Sequence, residues 1–292
     1  MRIAPAMSFH RRVAPRGMLA NIVTIARREL RDALRGRSFW LYTLAFIVLG
    51  LGVSHVSAVT SGGAGLAGFG RTSAGLINLV MLVVPLMSLS AGASTIASDR
   101  ERGMLPYLLA MPVTRTEVLL GKYVALAISV ACSIALGFGV CAATLAMTVS
   151  STRADSLLHL VLLSMLLALP MLAIGMCISV FARRTSVAVG TAVFVWLGLA
   201  FASDLGLMAG TLTFKLSIQT LFGISLANPL QVFKMWSLEG FDATLDVLGP
   251  AGLYGQETLG SIRSTLFAAI LLAWTIVPLA LSAVVFSRRS PV

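Results

Sequence analysis

Apolar residues in this chain fall into long, nearly unbroken runs separated by short polar islands. The runs near 39–60, 74–98, 122–149, 156–182, 186–212 and 262–287 each reach the length of about 20 residues that a helix needs to cross a bilayer. They predict six transmembrane helices and hence an all-α polytopic membrane protein. Residues 18–38 have a different pattern. Leu19, Ile22, Val23, Ala26, Leu30, Ala33 and Leu34 recur at helical spacing, while Arg27, Arg28, Arg31, Asp32 and Arg35 fill the opposite face. That spacing predicts an amphipathic helix lying in the membrane interface. Pro85, Pro170 and Pro278 fall near the centres of spans two, four and six, where each removes a backbone donor and is expected to bend its helix. The connection 61–75, rich in Gly, Ser and Ala, predicts a flexible loop. The longer connection 213–261 is too polar to span and too apolar for a soluble domain. Broken at Asn228-Pro229 and Gly249-Pro250, it predicts short helices in the outer interface.

Composition supports the membrane reading and charge orients it. Only 11% of residues are charged and the mean hydropathy is +0.93, against roughly 25% charged in a soluble domain. Of the 22 Lys and Arg, 17 lie before span one, between spans two and three, between spans four and five, or after span six. The positive-inside rule then puts both termini in the cytoplasm. With acids included, the cytoplasmic face carries about +12 and the outer face about −1, together the net +11, an asymmetry that suits anionic lipid. The basic pI is thereby explained without nucleic acid. Residues 1–17 read as a disordered basic tail; they lack the apolar core of about 7–15 residues that marks a signal peptide, and Met18 is an alternative start. Cys132, Cys141 and Cys177 lie inside predicted spans, so no extracellular disulfide framework is expected.

The island between spans two and three, residues 98–123, holds seven of the 33 charged residues. Asp99, Arg100, Glu101 and Arg102 mark where span two leaves the membrane, and Gly103 frees the backbone. Met104 to Met111 is mostly apolar and too short to cross, with Pro106 near its start and Pro112 after its end. Thr114-Arg115-Thr116-Glu117 then fits a capping box, Thr at the N-cap and Glu three residues on. Gly121 permits close packing, and Lys122 is placed to snorkel toward the headgroups. The island therefore reads as a short helix held between breakers, lying on the surface or against a partner.

The order Asp99-Arg100-x-x-Gly103, apolar helix, Pro112-Val113-Thr114-Arg115, Glu117, Gly121-Lys122 resembles the permeases of ABC-2 type exporters. In that family this segment is the coupling helix that docks on an ATPase. The resemblance implies ATPase-coupling roles for Asp99, Glu101, Arg102, Gly103, Leu108, Pro112, Arg115, Glu117, Gly121 and Lys122 within 99–121. Pro106 departs from the family pattern, which usually has a helix former there. Arg27, Glu29, Asp32 and Arg35 resemble the family's N-terminal elbow helix. Arg183-Arg184 and Trp196 with Asp204-Leu205 fit the ABC-2 pattern as well, while Asn228-Pro229 with Phe233-Lys234 and the 248–254 segment resemble the NosY-like branch, associated with multicopper enzyme maturation. Asp204, Asn228, Pro229, Phe233 and Lys234 are candidate outer-gate residues. The implied protein is a homodimeric permease of the bacterial inner membrane, working with cytoplasmic ABC ATPase chains. Its implied role is copper-site assembly of a periplasmic copper enzyme such as nitrous oxide reductase. It would export a sulfur or copper species, or pass motion to a periplasmic partner protein.

The residues themselves offer little chemistry. No phosphate-binding G-x-x-x-x-G-K-[ST] loop is present, so ATP and Mg are expected on the partner ATPase and no cofactor on this chain. H-E-x-x-H, C-x-x-C and G-x-S-x-G are also missing, and no catalytic or metal-binding residue is expected. Cys132 and Cys141 are out of phase on one helix, and the Met165–Met176 face with Cys177 is interrupted by Pro170, so packing is the simpler role for these soft side chains. Export of a drug, lipid or polysaccharide remains the alternative within the family. An ion-coupled secondary carrier or a non-transporting scaffold are alternatives outside it; the former needs ionisable groups at the midplane, and Asp204 is the nearest.

Overall fold

The structure, a computed structural model, describes residues 17–60, 65–105, 107, 113–148, 154–212, 218–239 and 262–288. The described residues form helices throughout. The amphipathic segment is α1, Met18–Arg35, and it ends where Gly36 turns extended at φ −66°, ψ 141°. After a 60° bend the chain continues as α2, Arg37–Thr60, in the first expected span. Then come α3, Gly65–Glu101; α4, Arg115–Thr148; α5, Ala154–Phe181; and α6, Thr185–Leu212. Two short helices, α7, Ile218–Leu226, and α8, Pro229–Glu239, precede α9, Arg263–Arg288. Among the described residues five helices are long and apolar enough to cross a membrane, and up to six if the bent α1–α2 pair counts as one.

α5 is the centre of the bundle, with α3, α9, α4, α8 and α6 all packed on it. Its sequence is apolar on every side, as a helix surrounded by others must be. Its closest neighbour is α3, and two glycines set that distance. A Cβ at Gly92 of α3 would lie 2.5 Å from the carbonyl oxygen of Leu172 on α5. One at Gly175 of α5 would run into the backbone of Leu89 and Ala93 on α3. The two backbones touch, the small-residue packing that helices in lipid use in place of a hydrophobic driving force. Ser179 of α5 adds a polar tie one turn on, its Oγ accepting from the amides of Ile96 and Ala97 at 2.9 Å each. α6 lies at the periphery, with Val187, Phe194 and Phe201 exposed.

One sequence expectation changes. The connection 61–75 is helical from Gly65, leaving only 61–64 outside the described residues. Gly and Ser read as turn signals because in water they gain little from helix; at a membrane boundary every unsatisfied backbone group costs more, and continuing α3 satisfies them. One of the short helices expected in the 213–261 connection is packed into the bundle. In α8, Leu230, Gln231, Val232, Phe233, Met235, Ser237 and Leu238 are buried, and the helix packs on α5 and α9 with further contacts to α3, α6 and α7. Its start follows from sequence. Asn228 Oδ1 accepts from the Leu230 amide at 3.0 Å, Pro229 takes the first helical position where no donor is needed, and Asn228 Nδ2 donates to Leu199 O of α6 at 2.7 Å. The stretches 213–217 and 240–261 lie outside the described residues, as does the tail 1–16.

Candidate functional site at the junction of three helices

The charged island gathers three helices at one end of the bundle. α3 ends in a Schellman motif: the Gly103 amide donates to Arg100 O at 3.1 Å and the Met104 amide to Asp99 O at 2.9 Å. Gly103 has φ +68°, a left-handed conformation that favours glycine. The chain then drops Leu105 into a core with Ile96, Leu119, Tyr123, Met176 and Phe286, leaving it 3% exposed. Met104 and Tyr107 on either side are exposed, Tyr107 to 77%. Leu108 and Pro112, like Pro106, lie outside the described residues.

α4 opens with the reciprocal cap its sequence predicts. The Thr114 amide donates to Glu117 Oε2 at 2.9 Å and the Glu117 amide to Thr114 Oγ1 at 3.3 Å. Asn21 of α1 joins it, donating through Nδ2 to Glu117 Oε2 at 3.3 Å. One turn further, Gly121 lets α1 lie directly on α4. A Cβ there would meet Ile25 Cγ2 at 2.8 Å and Ile22 O at 3.2 Å.

Lys122 is the largest correction. It does not snorkel to headgroups; its side chain is 3% exposed and its Nζ lies 2.8 Å from both Glu29 Oε1 of α1 and Asp99 Oδ2 of α3. A buried ammonium needs compensating charge, and the two carboxylates supply it. Three helices thus share one cation. Arg100 donates to the carbonyls of Val180 and Ala182 at the end of α5. Glu101 Oε2 accepts from the Thr185 amide at 2.9 Å, at the start of α6 where a carboxylate is favoured. Arg115 Nη1 donates to Phe286 O of α9 at 3.1 Å. Most charges of the island are therefore engaged with this chain's own helix ends.

The elbow residues divide. Glu29 faces inward to Lys122, whereas Arg27, Asp32 and Arg35 are exposed. Of the outer-gate candidates, Asn228 and Pro229 start α8, Phe233 is fully buried in the main core, Lys234 is half-buried, and Asp204 belongs to α6. No group of three or more His, Cys, Asp or Glu that could hold a metal occurs among the described residues. Sequence reasoning missed Asn21, Ser179 and Tyr107. A lone Asn on an amphipathic helix or a Ser in an apolar run has no local signal; an aromatic flanked by two prolines in a charged island had one.

The family profile described as ABC-2 family transporter protein matches residues 23–290. The chain belongs to this family. The permease is 31% identical over 271 residues to the probable ABC transporter permease protein NosY of Stutzerimonas stutzeri, covering 91% of this chain and 97% of that protein. A protein of the same name in Pseudomonas aeruginosa is 31% identical over 275 residues, covering 91% and 98%. The permease is thus similar to NosY along nearly its whole length, from α1 to α9. Membership implies an ABC ATPase as partner, and the junction of α1, α3 and α4 is where the family resemblance places the coupling segment.

Proposed function

We propose that this chain is the NosY-like membrane subunit of an ATP-driven transporter of the bacterial inner membrane, a homodimer with both termini in the cytoplasm. ATP and Mg bind on separate ATPase chains, since this sequence contains no phosphate-binding loop. The observation that carries the reading is Lys122 buried between Glu29 and Asp99. That ion triad joins α1, α3 and α4 into one body from which Tyr107 projects. Force applied to the 99–121 segment therefore reaches the elbow helix and span two together, and through the Gly92–Gly175 contact reaches α5.

The task of this motion is copper-site assembly in a periplasmic copper enzyme such as nitrous oxide reductase. A sulfur or copper species is exported, or movement is passed to a periplasmic partner protein. Similarity to two NosY proteins over 91% of the chain supports this branch over drug, lipid or polysaccharide export, and family membership weighs against an ion-coupled carrier. Deleting the gene in its host and measuring copper in the purified periplasmic enzyme tests the assignment. The expected product is intact polypeptide depleted of copper. Normal copper content would sink the copper role and turn attention to the other exported cargoes.

A further inference from the structure

The cytoplasmic junction contains an opening that the chain's described side chains leave unfilled. A cleft of about 320 Å³ lies between α1 and the α3–α4 junction, at the lower end of the roughly 300–1,000 Å³ typical of small-molecule sites. Its charged lining is Arg28, Glu29, Asp32, Asp99, Arg102 and Lys122, three cations and three carboxylates. Lys122 is committed to Glu29 and Asp99. Arg28, Asp32 and Arg102 are exposed and form no ion pair with any described residue. Two guanidiniums and one carboxylate are thus available, next to a triad carrying one net negative charge.

That balance selects a ligand of both signs. Guanidiniums suit phosphate oxygens, and Asp32 suits an ammonium. A polyanion would instead meet Asp32 and the surplus charge of the triad. The cleft is also beside the bilayer surface, because α1 carries its charged lining residues on one side and exposes Leu19 and Val23 on another, the pattern of a helix in the interface. We propose that this cleft binds the headgroup of an aminophospholipid of the phosphatidylethanolamine class, with phosphate on Arg28 and Arg102 and ammonium on Asp32. Such a lipid bridges the elbow helix and the end of span two on the side that Lys122 leaves open.

The test uses the full-length chain purified in mild detergent, with retained lipid counted by native mass spectrometry after adding phosphatidylethanolamine, phosphatidylglycerol or soluble glycerophosphoethanolamine. Phosphatidylethanolamine is expected to bind in preference to phosphatidylglycerol. Combined Arg28→Gln and Arg102→Gln should weaken its binding about tenfold, as expected for lost charge-assisted contacts. Asp32→Asn should abolish the preference between the two lipids, and Arg31→Gln, outside the cleft, should leave it intact. Equal retention of both lipids by the native chain, or no effect of the double variant, overturns the proposal. Displacement of the lipid by equimolar glycerophosphoethanolamine also overturns it, by assigning the cleft to a soluble phosphodiester. Should the double variant fail to fold, Asp32→Asn alone decides.

Discussion

Lys122 sits between two carboxylates with almost no water around it, so the cost of removing it is set by what stays behind. In Lys122→Met, Glu29 and Asp99 would face each other without their cation, and breaking such a buried pair from one side costs on the order of 3 kcal/mol. We expect a lowered unfolding midpoint in detergent, read by thermal or denaturant titration. Adding Glu29→Gln and Asp99→Asn to Lys122→Met should recover most of the loss, because the desolvation penalty of the orphaned carboxylates disappears with their charge. A triple variant as unstable as the single one would mean that Lys122 contributes packing and not charge pairing. The cap of α4 offers a milder case. Thr114→Ala should cost about 1 kcal/mol, the usual value for a lost N-cap. Glu117→Ala should cost more, since Oε2 accepts from both the Thr114 amide and Asn21; equal costs would show that Asn21 contributes nothing.

Between helices, the decisive contact is the crossing of α3 and α5. Gly92→Val puts branched carbon where Leu172 O would already be 2.5 Å from a Cβ, and backbone cannot yield as a flexible side chain can. The two helices must separate, at a cost near the upper end of the roughly 1–3 kcal/mol usual for overpacking. Gly139→Val on α4, with nothing within 4 Å of the added atom, should be close to neutral in the same unfolding titration; similar losses in both would remove the crossing as the cause. The crossing also shows what sequence could and could not reveal. The ends of elements were legible because their signals are local: Gly103 after Glu101, Thr114 with Glu117, Asn228 before Pro229. Partners were not. Nothing in a run of apolar residues says that Gly92 faces Gly175, that Lys122 reaches back 93 residues to Glu29, or that α8 is swallowed by the bundle. In an apolar chain the pattern of polar and apolar positions, which in water separates inside from outside, loses much of that meaning, since lipid and protein interior are alike to a Leu. Exposed Phe194 and buried Phe233 differ in nothing that their immediate neighbours in sequence disclose.

For the molecule as a whole, the question is which surface meets the ATPase. Glu101 and Arg115 are obvious choices from sequence, yet both are tied to this chain's own α6 and α9, so charge reversal at either would disturb the bundle before testing docking. Tyr107 is a sharper probe. It stands 77% exposed two residues after Leu105, which is buried in the core, and an exposed aromatic is the kind of side chain that dominates an interface. Tyr107→Ala should weaken co-purification of the ATPase about tenfold, equivalent to roughly 1.4 kcal/mol, with the unfolding midpoint unchanged because Tyr107 makes little contact within the chain. Orientation enters the same experiment. With the positive-inside assignment, a cysteine at Arg184, exposed in the turn before α6, should react with a membrane-impermeant maleimide in inverted vesicles only. One at Ile262, exposed at the start of α9, should react in right-side-out vesicles only. The reverse pattern would put the 99–121 segment and Tyr107 outside, where no cytoplasmic ATPase could reach them, and both the docking surface and the direction of force through Lys122 would fall together.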